Sequence, residues 1–510
     1  VTLGRTLAVG LLGLTGSVVE VEAHLAAALP AFVLVGLPDA SLAEARDRVR
    51  AAVGSSGLTW PNRRVTVNLT PAGVPKSGPG FDLAVAVAVL AASGLLDARR
   101  AARTVHLGEL GLDGRLRPVR GVLPAVAAAV AAGWPDVVVP VADVPEATLV
   151  PGARVVGCAS LAAVVARHGG QVAVPDVAPV PPSRRTASGG TSRGDLSDVL
   201  GQHEARWAVE VAAAGAHHLL LLGPPGAGKT MLASRLPGVL PDLDEADAVE
   251  VTGVHSVAGV FDPDGGLLRR PPFEDPHHTA TAASIVGGGS GTPRPGAASR
   301  AHRGVLFLDE APEFRTAVLQ TLRQPLEHGE LVIHRAAGAA RYPARFQLVL
   351  AANPCPCGQA YGQGLGCGCT SGDRRRYLGR LDGPLLDRVD VQVEVPPVRP
   401  GTLGRDAEST ADVAERVGAA RTAQRSRWRG TPWRVNSEVP GRALRDLLRP
   451  DPGLLAEVDT AVEQGRLTLR GADRALRLAW TVADLAGRDA PTRPDVDAGV
   501  ALRSRGRAGL

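Results

Sequence analysis

HHLLLLGPPGAGKTMLASRL, residues 217–236, reads as a buried strand, a glycine loop and a helix in succession. The loop fits G-x-x-x-x-G-K-T through Gly223, Pro224, Pro225, Gly226, Ala227, Gly228, Lys229 and Thr230. Glycines let successive backbone N–H groups point inward, and the helix that follows presents its positive end, so the loop can cradle phosphates. Lys229 is placed to bridge the β- and γ-phosphates of ATP, and the Thr230 hydroxyl to ligate Mg²⁺. Of 56 basic residues only Lys76 and Lys229 are lysine, the rest being arginine. A compact ammonium fits between phosphates where a guanidinium fork is too wide. On its own the stretch could also be a plain glycine turn.

A second stretch removes most of that ambiguity. GVLFLDE (304–310) is an apolar run ending in two acids. Such a run reads as a strand covered on both faces. Asp309 would hold Mg²⁺ through water, and Glu310 would orient and activate the attacking water. FQLVLAANP (346–354) is a third run of the same kind, ending in Asn353, a polar side chain suited to holding that water near the γ-phosphate.

Outward from this core the chain divides. Its 510 residues exceed one ordinary core. Residues 1–170 alternate short apolar strands with Ala-rich helices, an α/β or α+β pattern. Residues 171–195, rich in Pro, Ser, Gly and Arg, read as a linker. Residues 196–397 carry the phosphate loop, and 398–510 have a helical pattern. Hydrophobic content of 45% is ample for packed cores, and no run approaches the roughly 18–20 apolar residues of a membrane span. The first twenty residues are broken by glycines and followed by acids, so they read as a strand rather than a signal peptide, and the expected location is cytoplasmic. The net charge of +5 permits a nucleic-acid partner without establishing one.

The pieces fall in the order of an AAA+ module. LSDVLGQ (196–202), ending in Gln202, resembles the segment that contacts adenine. Asn353 resembles the sensor-1 asparagine. Arg388, in GPLLDRVD (383–390), resembles an arginine finger, which in a ring reaches the neighbour's ATP; a salt bridge with Asp387 or Asp390 is the alternative. Arg470, in LTLRGADRALRLAWTVADL (467–485), resembles the sensor-2 arginine that contacts the γ-phosphate from a helical lid, with Arg474 one turn later as the substitute.

Across nearly its whole length the sequence resembles the ComM/YifB group, bacterial AAA+ proteins similar to the magnesium chelatase motor subunit. The carrying stretches are VGLPDASLAEARDRVRAAV (35–53), NLTPAGVPKSGPGFDL (68–83), GPPGAGKTMLASRLPGVLP (223–241), PHHTATAASIVGGG (276–289), AHRGVLFLDEAPEF (301–314) and RYPARFQLVLAANPCPCG (341–358). The resemblance implies an α/β chain with a Lon-protease-like, ribosomal-S5-like first domain, a central AAA+ core and a helical lid. It also implies a hexameric ring, ATP hydrolysis and DNA translocation, with branch migration in homologous recombination and natural transformation as the process. A protein-remodelling ring or a chelatase-type motor are the alternatives. A Lon-like enzyme would need a serine–lysine dyad. Here PKSGPG (75–80) puts Gly80 at the nucleophile position, and Pro124 stands where the lysine belongs, so no proteolysis is expected.

Two inserts are candidate DNA loops. SIVGGGSGTPRPG (284–296) is Gly-rich and carries arginine. ELVIHRAAGAARYPARFQLVL (330–350) reads as a hairpin bearing His334, Arg335 and Arg341. A few phosphate contacts per subunit would give salt-dependent, sequence-independent binding; solvated turn charges are the alternative. His277 and His278 favour a loop-positioning role over metal binding. Finally, Cys355, Cys357, Cys367 and Cys369 form C-x-C-x9-C-x-C on a glycine-rich loop directly after Asn353. Four such thiols fit a structural Zn²⁺ site, with a redox loop or four unligated thiols as alternatives.

Overall fold

The three apolar runs lie side by side. In the computed structural model, strands Leu219–Leu222, Val305–Leu308 and Gln347–Ala352 are buried along their full length. The structure describes residues 3–36, 44–71, 76, 78–181, 194–289, 293–335, 338–361, 366–381, 383–398, 407–448 and 452–504. These strands belong to a five-stranded sheet in the order Phe273–Glu274, Val305–Leu308, Gln347–Ala352, Leu219–Leu222, Val391–Glu394. Every adjacent pair is parallel. A parallel sheet needs cover on both faces, which explains why the runs are apolar throughout rather than alternating. From the glycine-loop strand the chain crosses to the far edge, steps back until Gln347–Ala352 lies beside that strand, and then places Val391–Glu394 on its other side. Ligand crevices in such sheets open at the carboxyl ends of strands near such a reversal.

The first region builds a separate seven-stranded sheet, in the order Ala31–Val35, Arg64–Thr70, Thr15–Ala26, Leu3–Leu12, Val105–His106, Asp136–Pro140, Arg154–Cys158. Helix Asp82–Ala92 is buried at every residue, as DLAVAVAVLAA, apolar almost all round, requires. Lys76 is buried, and its Nζ donates to the Pro71 carbonyl. Pro124 lies inside helix Val122–Ala131 and Gly80 in the turn before Asp82. Ser77 lies outside the described residues. Residues 171–181 form neither helix nor strand.

Helix Glu245–Ala258 joins the two sheets. Its Ser256 hydroxyl donates to the buried Glu146 carboxylate, and its Val249 packs into the first region's core. The described C-terminal helices dock on the five-stranded region through side-chain hydrogen bonds. Helix Thr410–Arg427 packs on helix His203–Gly215, where Arg421 and Gln424 donate to the carbonyls of Ala213 and Ala214. Helix Leu469–Leu485 docks through Thr481, whose hydroxyl meets His217 Nε2 at 2.8 Å. These contacts lie at the amino end of the five-stranded sheet. A second apolar cluster, around Trp428 and Trp480, closes the helical region on itself. No helix among the described residues is long and apolar enough to cross a membrane.

Candidate active site

Five of the expected residues converge at the carboxyl ends of three neighbouring strands. Leu219–Leu222 feeds Gly223, whose added Cβ would lie 2.2 Å from the Val395 carbonyl oxygen, so the adjacent strand excludes any side chain there. Gly226 and Gly228 have φ of 76° and 92°, backbone that favours glycine. Helix Lys229–Val239 starts directly after Gly228. The Lys229 ammonium is 7% exposed and donates to Gly223 O at 2.7 Å, Pro224 O at 2.9 Å and Asn353 Oδ1 at 3.0 Å. Burial pushes its pKa down, while the charges of Asp309 and Glu310 oppose that shift. Thr230 Oγ1 donates to Asp309 Oδ2 at 2.6 Å. A hydroxyl and a carboxylate facing a phosphate cradle are hard oxygen donors of the kind Mg²⁺ takes together with substrate phosphates. Gln202 is buried beside the loop, with Nε2 donating to Ala227 O at 3.2 Å and to Pro396 O.

Glu310 follows with φ 49°, in left-handed backbone, and its N–H donates to Asp309 Oδ1 at 2.9 Å. Its carboxylate is half-exposed and meets His278 Nδ1 at 3.1 Å. His278 in turn lies against His277, ring centroids 4.1 Å apart. His278 thus touches both Glu310 and His277. Its contact to Glu310 was not legible beforehand, because 32 residues separate them and PHHT carries no spacing rule.

The two arginines lie elsewhere in the chain. Arg388 precedes strand Val391–Glu394, whose register pairs Leu219 with Val391 and Leu222 with Glu394. It therefore sits at the amino end of the sheet, a strand length of roughly 13 Å or more from the glycine loop. It forms an ion pair with Glu327. Burial lowers its pKa, and the nearby charges of Arg470, Arg474 and Arg323 lower it further. Arg474 pairs with buried Asp390 and donates to Arg388 O at 3.0 Å. Arg470, one turn earlier, is exposed at the start of helix Leu469–Leu485. The helix carrying Arg470 is anchored at the end of the sheet opposite the glycine loop, through Thr481 and Arg474. A cavity of about 870 Å³ opens on that same end, lined among others by Arg388, Asp390, Arg421, Arg474 and Arg477. Although large, it touches none of the phosphate-loop residues.

The candidate DNA loops pack together. Strands Glu330–Arg335 and Gly338–Pro343 form the expected antiparallel hairpin. Gly287–Gly288 pairs with Arg294–Pro295, and Ile333 lies against Gly287. Buried Tyr342 donates its hydroxyl to Pro293 O. His334 is exposed, and Arg341 pairs with Glu330 at 2.8 Å. The Arg335 side chain and residues 290–292 lie outside the described set.

The sequence matches the family described as magnesium chelatase, subunit ChlI, over residues 195–403. It also matches subunit ChlI of Mg-chelatase over 21–143 and the ChlI C-terminal family over 407–503. An uncharacterized protein of Mycobacterium tuberculosis is 52% identical over 507 residues, 99% of each chain. Competence protein ComM of Haemophilus influenzae is 39% identical over 498 residues, 97% of this chain and 96% of its own. The magnesium-chelatase 38 kDa subunit of Rhodobacter capsulatus is 28% identical over 333 residues, 86% of that subunit but 60% of this chain. The chain belongs to the ComM/YifB group of magnesium chelatase-like, AAA+-type ATPases.

Proposed function

We propose that the chain is a cytoplasmic, Mg²⁺-dependent ATPase that assembles into a hexameric ring and moves DNA, as a branch-migration motor of homologous recombination or natural transformation. The observation that carries the ATPase is the meeting of Lys229, Thr230, Asp309, Glu310 and Asn353 on three adjacent strand ends. In this reading the loop amides and Lys229 grip the β- and γ-phosphates, and Gln202 holds the loop against the adenine side. Thr230 and Asp309 would hold Mg²⁺, which supplies neutralising charge on the phosphate oxygens. Glu310 takes the proton of the attacking water, while Asn353 fixes that water's position. Arg388 and Arg470 act on the neighbouring subunit's nucleotide, since both sit at the sheet end remote from their own loop. Glycine at position 80 and proline at 124 support a first domain without proteolytic activity.

The DNA role rests on likeness to ComM across nearly the full chain and on the basic hairpin. A chelatase-type motor is the second reading, favoured by family matches that run from 21 to 503. Against it, the chelatase subunit aligns with only 60% of the chain. The deciding experiment measures ATPase rate with and without single-stranded and four-way-junction DNA, then follows junction migration. Stimulation and migration are expected. ATP turnover with neither stimulation nor DNA binding at low salt would move the assignment to protein remodelling.

A further inference from the structure

The loop after Asn353 runs from 353 to 370 without helix or strand among its described residues. A stretch that long inside a core is uncommon unless something other than backbone pairing holds it. Here the candidate is chemical. The Sγ atoms of Cys355, Cys357, Cys367 and Cys369 all lie within 4.8 Å of one another. Cys355 and Cys357 are 3.3 Å apart, and Cys367 lies 3.7 Å from each. Zn–S bonds of about 2.3 Å in a tetrahedron put sulfurs about 3.8 Å apart, whereas a disulfide needs about 2.05 Å. The Ala360 N–H points at Cys355 Sγ at 3.3 Å, the amide-to-thiolate contact that supports a metal-bound sulfur.

We infer that these four thiolates bind one Zn²⁺, and that the metal knot fixes the two elements it adjoins, Asn353 and the phosphate loop. The second half rests on the nucleotide site proposed above. Cys355 is two residues past Asn353. Gly358, at φ 75°, lies so close to Pro225 that an added Cβ would be 2.6 Å from its ring carbons. At the far end, Cys369 leads into helix Ser371–Leu378, which opens with a capping box from Thr370 and Asp373. That helix returns buried Tyr377 to the Asn353 backbone. The metal thus closes a loop whose two ends both meet at the asparagine, removing the freedom that so long a connection would otherwise keep.

The test is elemental analysis of native full-length protein, with Cys357→Ser and Cys367→Ser beside a Cys158→Ser control. Co²⁺ exchange of the wild type gives an independent reading, through the visible bands of a tetrahedral tetrathiolate. One zinc per chain is expected in the wild type and in Cys158→Ser, together with the tetrathiolate spectrum. The loop variants should lose the metal, and kcat for ATP should fall about 10- to 100-fold with less change in nucleotide affinity. Should the loop variants fail to fold, the wild type stripped by chelator and reloaded with Zn²⁺ gives the same comparison. Native protein without stoichiometric zinc overturns the site. Loss of zinc with unchanged kcat overturns its positioning role. Zinc-loaded wild type that consumes no ATP overturns the nucleotide reading while leaving the metal site standing.

Discussion

Glu310 is held in left-handed backbone, a conformation costing of order 1–3 kcal/mol for a non-glycine residue. Asp309 steadies it by accepting its N–H, and His278 meets the free end of its carboxylate. A half-exposed carboxylate has many rotamers, and the contact with the imidazole favours one of them. His278→Ala should lower kcat about 10-fold and leave ATP affinity nearly unchanged, while His278→Asn, which keeps a donor, should retain more activity. Glu310→Gln should bind ATP and lose at least about 10²-fold in turnover. Steady-state rates with nucleotide binding on the same preparations separate these, and a wild-type kcat in His278→Ala would remove the histidine from the site. Six further histidines act on stability. Burial lowers the pKa of His106, His168, His217, His218, His255 and His302 below 6.5, with His218 near 4. Unfolding frees them to take protons, so their contribution is complete above pH 6.5 and is lost as pH falls toward 4. Burial raises Asp82 to about 6 and also raises Asp484, which works in the opposite direction, but these are two groups against six. Thermal unfolding followed from pH 7 to 5 should show a steadily falling midpoint; a flat or rising one contradicts the sign.

At the scale of elements, the sequence was most informative where one strand carries its own punctuation. LLLL before a glycine loop, VLFL before two acids and LVLAA before an asparagine each declare a doubly covered strand and the chemistry at its end. The hairpin 330–343 was legible for the same reason, as two apolar-bearing arms around a small-residue turn. What the arms pack against was not: Tyr342 reaches Pro293 across 49 residues, which joins the two candidate DNA loops into one surface. The Arg341–Glu330 pair on that surface is 66% and 41% exposed, so it is worth at most about 1 kcal/mol and leaves the guanidinium able to exchange partners. Arg341→Ala and His334→Ala should therefore weaken DNA binding without lowering basal ATPase. For Arg341→Ala, the plot of log affinity against log salt should become shallower by about 0.7–0.9 for each phosphate that the protein no longer neutralises. Unchanged affinity and slope would mean that the hairpin does not touch DNA.

For the whole molecule, the decisive fact was invisible in the sequence: which end of the sheet the C-terminal helices cover. Helical periodicity predicts helices but not their docking. That docking depends on polar pairs such as Thr481 with His217 and Arg474 with Asp390, each formed between segments far apart in the chain. Their consequence is a polarity. Each subunit carries its phosphate loop, Asp309 and Glu310 at one end of the sheet, and Arg388 and Arg470 at the other. Leu469, beside Arg470, is 73% exposed at that second end. The head-to-tail ring proposed above would bring the two ends together at every interface, and a lone subunit would then lack a complete pocket. The arrangement yields a test that needs no structure of the ring. Arg388→Ala and Glu310→Gln should each be nearly inactive alone. Mixed in equal amounts, they should regain a measurable fraction of ATPase, because some interfaces then join an intact Glu310 from one subunit to an intact Arg388 from the other. Lys229→Ala mixed with Glu310→Gln should regain none, since both changes fall on the same half of the pocket and no interface is whole. Equal recovery in both mixtures, or none in either, would refute a pocket shared between subunits.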